Sequence, residues 1–197
     1  MKFVLATHNP NKIREMGAIL GQFGVEVVSP KELGITVDVE ETGSTFAENA
    51  MLKAKAICEL AKLPAIADDS GLCVDGLGGR PGVYSARYSE SGTDADNNAK
   101  LVREVRPLDE AGRQAHYSCA IVLARGGREV FSCEGICRGK IVTTPMGDGG
   151  FGYDPILMLP EYGKTSAEIT MDEKNAISHR GKALRAMKKC LAEEIGE

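Results

Sequence analysis

No apolar run in the chain approaches the roughly 18–20 residues that a membrane span requires. The N-terminus, Met1-Lys2-Phe3-Val4-Leu5-Ala6, meets polar Thr7-His8-Asn9 too early for a signal peptide. The expectation is a cytoplasmic protein that engages no membrane. No C-x-x-C pair occurs among Cys58, Cys73, Cys119, Cys133, Cys137 and Cys190, and the only histidines are His8, His116 and His179. Dispersed cysteines of this kind read as small buried hydrophobes in a reducing compartment, and a zinc site of the usual His/Cys type finds no support. Internal repeats, low-complexity tracts and an obvious linker are lacking too. So is an excess of positive charge: 24 Lys and Arg stand against 28 Asp and Glu, a net charge of −4 that argues against a nucleic acid polymer as partner.

What is present, 197 residues with 43% hydrophobic and 26% charged, suits one domain over 1–197 with a sizeable core. Phe3-Val4-Leu5-Ala6 reads as a strand. Asn9 as N-cap and Pro10 at the first helical position then open a helix carrying Ile13, Met16, Ile19 and Leu20, with backbone N–H groups left free at its start. Val25-Glu26-Val27-Val28 is a second strand. Thr45-Phe46-Ala47-Glu48 is a capping box that predicts a helix over about 45–62. Ala65-Ile66-Ala67 is a buried strand expected to end at Asp68-Asp69-Ser70-Gly71. Asp94 can cap a helix through Val105. The stretches 115–124 and 128–142 predict a long hairpin turning at Gly126-Gly127, and residues 175–195 predict one closing amphipathic helix. The fold class is α/β with a mixed sheet, in one or two lobes.

Glycine is over-represented, with 23 of 197 residues, and nine of them fall in 71–82 and 147–152. Gly147-Asp148-Gly149-Gly150-Phe151-Gly152 matches the dinucleotide fingerprint G-x-G-x-x-G literally. Tyr153-Asp154-Pro155 follows it, however, and proline disfavours the helix that a dinucleotide site needs there. The loop reads better as a base pocket, with an exposed Phe151, Tyr153 and the Asp154 carboxylate. A Walker A sequence is absent, since Gly163-Lys164-Thr165 lacks the glycine five residues earlier. Glu40-Glu41 and Asp68-Asp69 are adjacent acid pairs in extended segments, so period-two alternation lets one member of each face a shared site. Between 174 and 192 stand six Lys or Arg and no Asp or Glu. Most of these suit a wet helix face, but Ser178-His179-Arg180 lies in a first turn, where cations oppose the helix dipole and an anionic or polar ligand would explain them.

These segments together resemble the inosine triphosphate pyrophosphatase family. The likeness runs in order through Thr7-His8-Asn9-Pro10-Asn11-Lys12, Glu40-Glu41-Thr42-Gly43 with Phe46 and Glu48-Asn49-Ala50, and Ala67-Asp68-Asp69-Ser70-Gly71-Leu72. It continues through Pro81-Gly82-Val83-Tyr84-Ser85-Ala86-Arg87-Tyr88, Gly149-Gly150-Phe151-Gly152-Tyr153-Asp154-Pro155 and Ser178-His179-Arg180. The resemblance implies an elongated mixed central sheet with flanking helices, two lobes around a deep substrate cleft, and a homodimer. It also implies Mg²⁺-dependent hydrolysis of deaminated purine nucleoside triphosphates to monophosphate and pyrophosphate. Residue by residue, it assigns Thr7, Asn9, Lys12 and Lys53 to the phosphates, His8, Pro10 and Asn11 to substrate binding beside them, Glu40 and Asp69 to Mg²⁺, Asp69 also to the base that activates water, and Ser70 to substrate. Phe151 would stack on the purine in a pocket shaped by Gly152, Tyr153 and Asp154. Lys174, His179 and Arg180 would contact phosphate or the purine edge. Rival readings are a pyrophosphatase for modified pyrimidine or methylated nucleotides, and a sensor that binds nucleotide without hydrolysis.

Overall fold

The computed structural model describes residues 2–196. Strands and helices follow in the order β1 (Lys2–Leu5), α1 (Pro10–Gly21), β2 (Glu26–Val28), α2 (Phe46–Ala61), β3 (Ala65–Val74), α3 (Asp94–Val105), β4 (Gln114–Arg125), β5 (Arg128–Ile141), β6 (Leu157–Leu159), β7 (Lys164–Thr165), α4 (Met171–Ile177) and α5 (His179–Ile195). The strands form one seven-stranded sheet in the order β2-β1-β3-β4-β5-β6-β7. β1 runs parallel to β2 and β3, whereas β6 is antiparallel to β5 and β7, so the sheet is mixed. The expected mixed α/β class with flanking helices is observed.

The chain divides into two interleaved compact units. One comprises Met1–Asp69, Cys119–Gly135 and His179–Glu197, the other Ser70–Ser118 and Ile136–Ser178. In the first unit the period-two alternation of the strands sorts the core into two layers. Phe3, Leu5, Ile66, Cys119, Ile121 and Leu123 face Met16, Ile19 and Leu20 of α1 and Ala183, Leu184, Met187 and Leu191 of α5. Their neighbours Val4, Ala65, Ala67, Ala120, Val122 and Ala124 face Ala50, Ala54 and Ile57 of α2. The alanines let α2 lie close. In the second unit Leu72 and Val74 pack with Leu101, Val102 and Val105 of α3 and with Ile141, Ile156 and Leu157.

Three sequence expectations are corrected. β3 does not end at Asp69 but continues to Val74, because Leu72 and Val74 keep the alternation and are fully buried, which outweighs the weak strand preference of Asp-Asp-Ser-Gly. The closing helix is two helices: α4 starts at a capping box on Thr170 and Glu173, and Ser178 is extended at φ −63°, ψ 157°. Thr93, not Asp94, is the N-cap of α3. The hairpin turn stands as read, with Gly126 and Gly127 both at positive φ.

Gly135 on β5 has no room for a side chain, since a Cβ there would overlap the His179 carbonyl and the Ala183 amide at the start of α5. Backbone cannot yield as a side chain tip can. Gly135→Ala is therefore expected to cost about 1–3 kcal/mol, seen as a melting temperature lowered by roughly 3–10 °C.

Candidate active site

The layering of the first unit decides the company of the two adjacent aspartates. Asp68 shares the face of Ile66 and so points toward α1 and α5, while Asp69 shares the face of Ala65 and Ala67 and points toward α2. Asp68 is fully buried and meets the cations of Arg180 and Lys12. Arg180 donates from Nε to Asp68 Oδ2 at 3.2 Å and from Nη2 to Oδ1 at 3.3 Å, a fork on one carboxylate, and from Nη1 to Glu15 Oε2 at 2.5 Å. Lys12 Nζ lies 2.6 Å from Asp68 Oδ1. Burial alone would raise the Asp68 pKa, but Arg180 and Lys12 outweigh it and hold the carboxyl well below the usual range. The anions that explain a buried arginine in the first turn of α5 are thus Asp68 and Glu15 of the protein itself.

Asp69 faces Lys53, which donates to Asp69 Oδ1 at 2.8 Å and to Glu41 Oε1 at 2.7 Å. Burial pushes the Asp69 carboxyl up to about 6 against the pull of Lys53 and Lys12. Lys53 loses by burial but is held above its ordinary pKa by Asp69 and Glu41, and Lys53 in turn holds Glu41 below its own against burial. A carboxylate near 6 is in range for a general base at neutral pH. Of the acid pair, Glu41 is committed to Lys53. Glu40 is exposed and has neither hydrogen bond nor ion pair among the described residues. Their loop is tied to α2: Gly43 N–H donates to Asn49 Oδ1 at 2.7 Å, and Ser44 N–H to Glu48 Oε2 at 2.6 Å.

The start of α1 departs from expectation. Asn9 Oδ1 accepts the N–H groups of Asn11, at 2.9 Å, and Lys12, at 3.2 Å, so these donors are satisfied within the cap rather than left free. Thr7 Oγ1 accepts the Asn9 N–H, and His8 Nε2 is 3.0 Å from the Val37 carbonyl. Pro10 opens the helix without an N–H of its own.

In the second unit the loop before β6 leads into a short turn, Asp154–Ile156, and not into an α-helix. Phe151 is half-buried rather than exposed, and Tyr153 and Asp154 are buried. Gly150 has φ +71° and lies so close to Asp154 that a Cβ would overlap its carboxylate. Lys174 Nζ donates to Asp154 Oδ2 at 2.5 Å and sits 4.8 Å from the centre of the Phe151 ring. Tyr153 O–H donates to the Ser85 carbonyl at 2.8 Å. Ser70 is half-buried at the unit's first position, and His179 is buried at the start of α5 in the other unit. All six cysteines are free thiols.

The sequence pattern gives Glu15, Asn98 and Tyr117 no role, and Asp94 only that of a helix cap. Glu15 was open to detection, because it follows Lys12 by three and precedes the buried Ile19 by four, which places a carboxylate on the covered face of α1. The others reach across tens of residues and leave no local signature.

Among the described residues no three His, Cys, Asp or Glu side chains converge as a metal cage. Mg²⁺ asks for less, one or two carboxylates with water and phosphate oxygens, and an uncommitted Glu40 with Asp69 suits that donor chemistry. The first unit therefore offers two lysines and hard carboxylate oxygens, equipment for a polyanion taken with a divalent cation. The chain belongs to the Ham1 family, whose sequence pattern matches residues 3–190. It is 51% identical over 196 residues to the dITP/XTP pyrophosphatase of Geobacillus kaustophilus, covering 99% of this chain and 96% of that one. To the dITP/XTP pyrophosphatase of Escherichia coli K12 it is 49% identical over 189 residues, covering 94% and 95%. A solved HAM1 protein from Coxiella burnetii superposes with a TM-score of 0.87 at 40% identity, covering 98% of this chain and 99% of that one.

Proposed function

We propose that the protein hydrolyses deaminated purine nucleoside triphosphates, dITP, XTP and ITP, to the nucleoside monophosphate and pyrophosphate, and so removes them from the nucleotide pool. The observation that carries the chemistry is Asp69: a buried carboxylate held near pKa 6 beside Lys53, within a chain about half identical to dITP/XTP pyrophosphatases. Asp69 takes the proton of the attacking water as the anhydride bond between the α- and β-phosphates breaks. Lys12 and Lys53, with Thr7, His8, Asn9, Asn11 and Ser70, bind and orient the phosphates, and Pro10 fixes the turn that presents them. Glu40 and Asp69 would hold Mg²⁺. When bound, that ion supplies charge neutralisation of the triphosphate and polarisation of its phosphorus–oxygen bonds. Arg180 serves through Asp68, fixing the strand that carries Asp69 and, with it, the Lys12 ammonium.

The base falls to the second unit's groups, with Phe151 stacking, Gly152, Tyr153 and Asp154 shaping the pocket, and Lys174 beside the ring. His179 belongs to the phosphate or purine contacts. Donors aimed at O6 are satisfied by hypoxanthine or xanthine and left unpaired by the amino group of adenine, a difference worth on the order of 10⁴ in discrimination. The family resemblance supports a homodimer in the cytoplasm. No helix among the described residues is long and apolar enough to cross a membrane, and a net charge of −4 gives no footing for a nucleic acid polymer.

The test is a comparison of kcat/KM for dITP, XTP and dATP with Mg²⁺. A preference for dITP and XTP on the order of 10⁴ is expected, and equal turnover of dATP would contradict the reading. Glu40→Gln should raise the Mg²⁺ concentration for half-maximal rate at least about tenfold, a loss typical even of groups that only support a metal ligand. Glu41→Gln should shift it less, because Glu41 is bonded to Lys53. A Mg²⁺ titration of the two variants decides between the neighbours.

A further inference from the structure

Three consecutive backbone N–H groups in the 150–154 loop end on three different side chains. Phe151 N–H donates to Asp154 Oδ2 at 2.9 Å, Gly152 N–H to Asp94 Oδ2 at 2.7 Å, and Tyr153 N–H to the Tyr117 hydroxyl oxygen at 2.9 Å. The Gly152 carbonyl accepts from Asn98 Nδ2 at 2.7 Å, so this residue is gripped through both of its main-chain polar groups. Asp94 and Asn98 are one helical turn apart on α3 and therefore share a face. Asn98 Nδ2 also donates to the Asp94 carbonyl at 2.7 Å, which joins the two jaws. Gly152 itself sits at φ +62°, a conformation that glycine adopts without strain.

The grip is not needed to start α3. Thr93 caps that helix by accepting the Asp96 N–H, and the Asp94 side chain is exposed. Asn98 is buried and its Oδ1 has no partner among the described residues. A buried amide with an idle oxygen is costly, and here its amino group is engaged on the loop. The loop's Phe151 ring is what such fixing would serve, because a stacking surface already held in one plane spends less of its binding energy on ordering.

We propose that Asp94, Asn98 and Tyr117 are positioning residues that set the aim of the Phe151 ring, and through it the affinity for the purine base. The inference rests on the reading of Phe151 as the base-stacking side chain. Asp94 carries the decisive variants because it is exposed and the helix keeps its own cap. Asp94→Ala removes the acceptor, Asp94→Asn retains an oxygen on the same stem, and Tyr117→Phe removes only the hydroxyl.

The experiment measures, for the full chain, IMP affinity by calorimetry, inhibition by pyrophosphate, and kcat and KM for dITP. In Asp94→Ala and Tyr117→Phe, IMP affinity should fall and KM for dITP rise about tenfold, the order of one lost hydrogen bond to a charged or buried group. Pyrophosphate inhibition should be unchanged, and Asp94→Asn should recover IMP affinity to within about threefold of the parent. Parental IMP affinity in both disrupting variants would overturn the inference. So would an equal loss of IMP and pyrophosphate binding, which marks a general disturbance. A parent protein that turns over dITP yet shows no dependence of IMP binding on Phe151, tested as Phe151→Ala, would overturn the base-stacking reading and the inference with it.

Discussion

Asp69→Asn is expected to lower kcat for dITP by about 10³–10⁴ while leaving the protein folded and able to bind IMP. Asparagine keeps the shape and one acceptor oxygen but cannot take a proton from water. The fold should tolerate the change, because the carboxylate is one that burial already drives toward its neutral form, and Lys53 retains Glu41 as an anionic partner at 2.7 Å. Pyrophosphate release under saturating dITP measures the first effect, and thermal denaturation with IMP calorimetry measures the second. Parental turnover in this variant would remove Asp69 from the role of base.

The neighbouring substitution has the opposite outcome. Asp68→Asn takes one charge from a buried group in which Arg180, Glu15 and Asp68 are all almost fully covered and Lys12 nearly so. Arg180 would keep Glu15 but face a neutral amide in place of the Asp68 carboxylate, and Lys12 would lose its ion pair. Breaking a buried pair by removing one partner costs about 3–5 kcal/mol, since the charges left behind stay out of water. For a chain of this length that is a fall in melting temperature of roughly 6–20 °C. Calorimetric unfolding of the two variants side by side is the check: Asp68→Asn should lose stability and Asp69→Asn turnover. A melting temperature for Asp68→Asn within a degree or two of the parent would show that the buried cluster does not support the fold.

That adjacent aspartates divide in this way follows from strand alternation, and the alternation was legible in Ala65-Ile66-Ala67-Asp68-Asp69 before any coordinate. So were the caps at Asn9 and Thr45, the Gly126-Gly127 turn and the refusal of a dinucleotide fingerprint ahead of Pro155. These features are local, each fixed by a few neighbouring residues. What escaped the sequence is long-range. Arg180 finds Asp68 from 112 residues away and Gly152 finds Asp94 from 58. A basic residue in a first helical turn announces that an anion is near but not whether it is a ligand or a protein carboxylate. Likewise, Asn9 signals a cap, but the cap consumes N–H groups that a phosphate would use. The continuation of β3 past Gly71 was hidden because core burial of Leu72 and Val74, not the propensity of Asp-Asp-Ser-Gly, decides it.

The pairing of Glu40 with Asp69 could be read only as one acid from each pair. In the structure Lys53 engages Glu41 and Asp69 but not Glu40. In the second unit, the aromatic loop was recognisable from Phe151, Tyr153 and Asp154, while the helix that grips it was not.

Pyrophosphate release from a deaminated purine nucleoside triphosphate is decided by ³¹P NMR of dITP incubated with the protein and Mg²⁺. The three triphosphate resonances should give way to those of dIMP and pyrophosphate in equal amounts, without accumulation of orthophosphate. Appearance of dIDP with orthophosphate would place the cleavage at the other anhydride bond and contradict the proposed reaction.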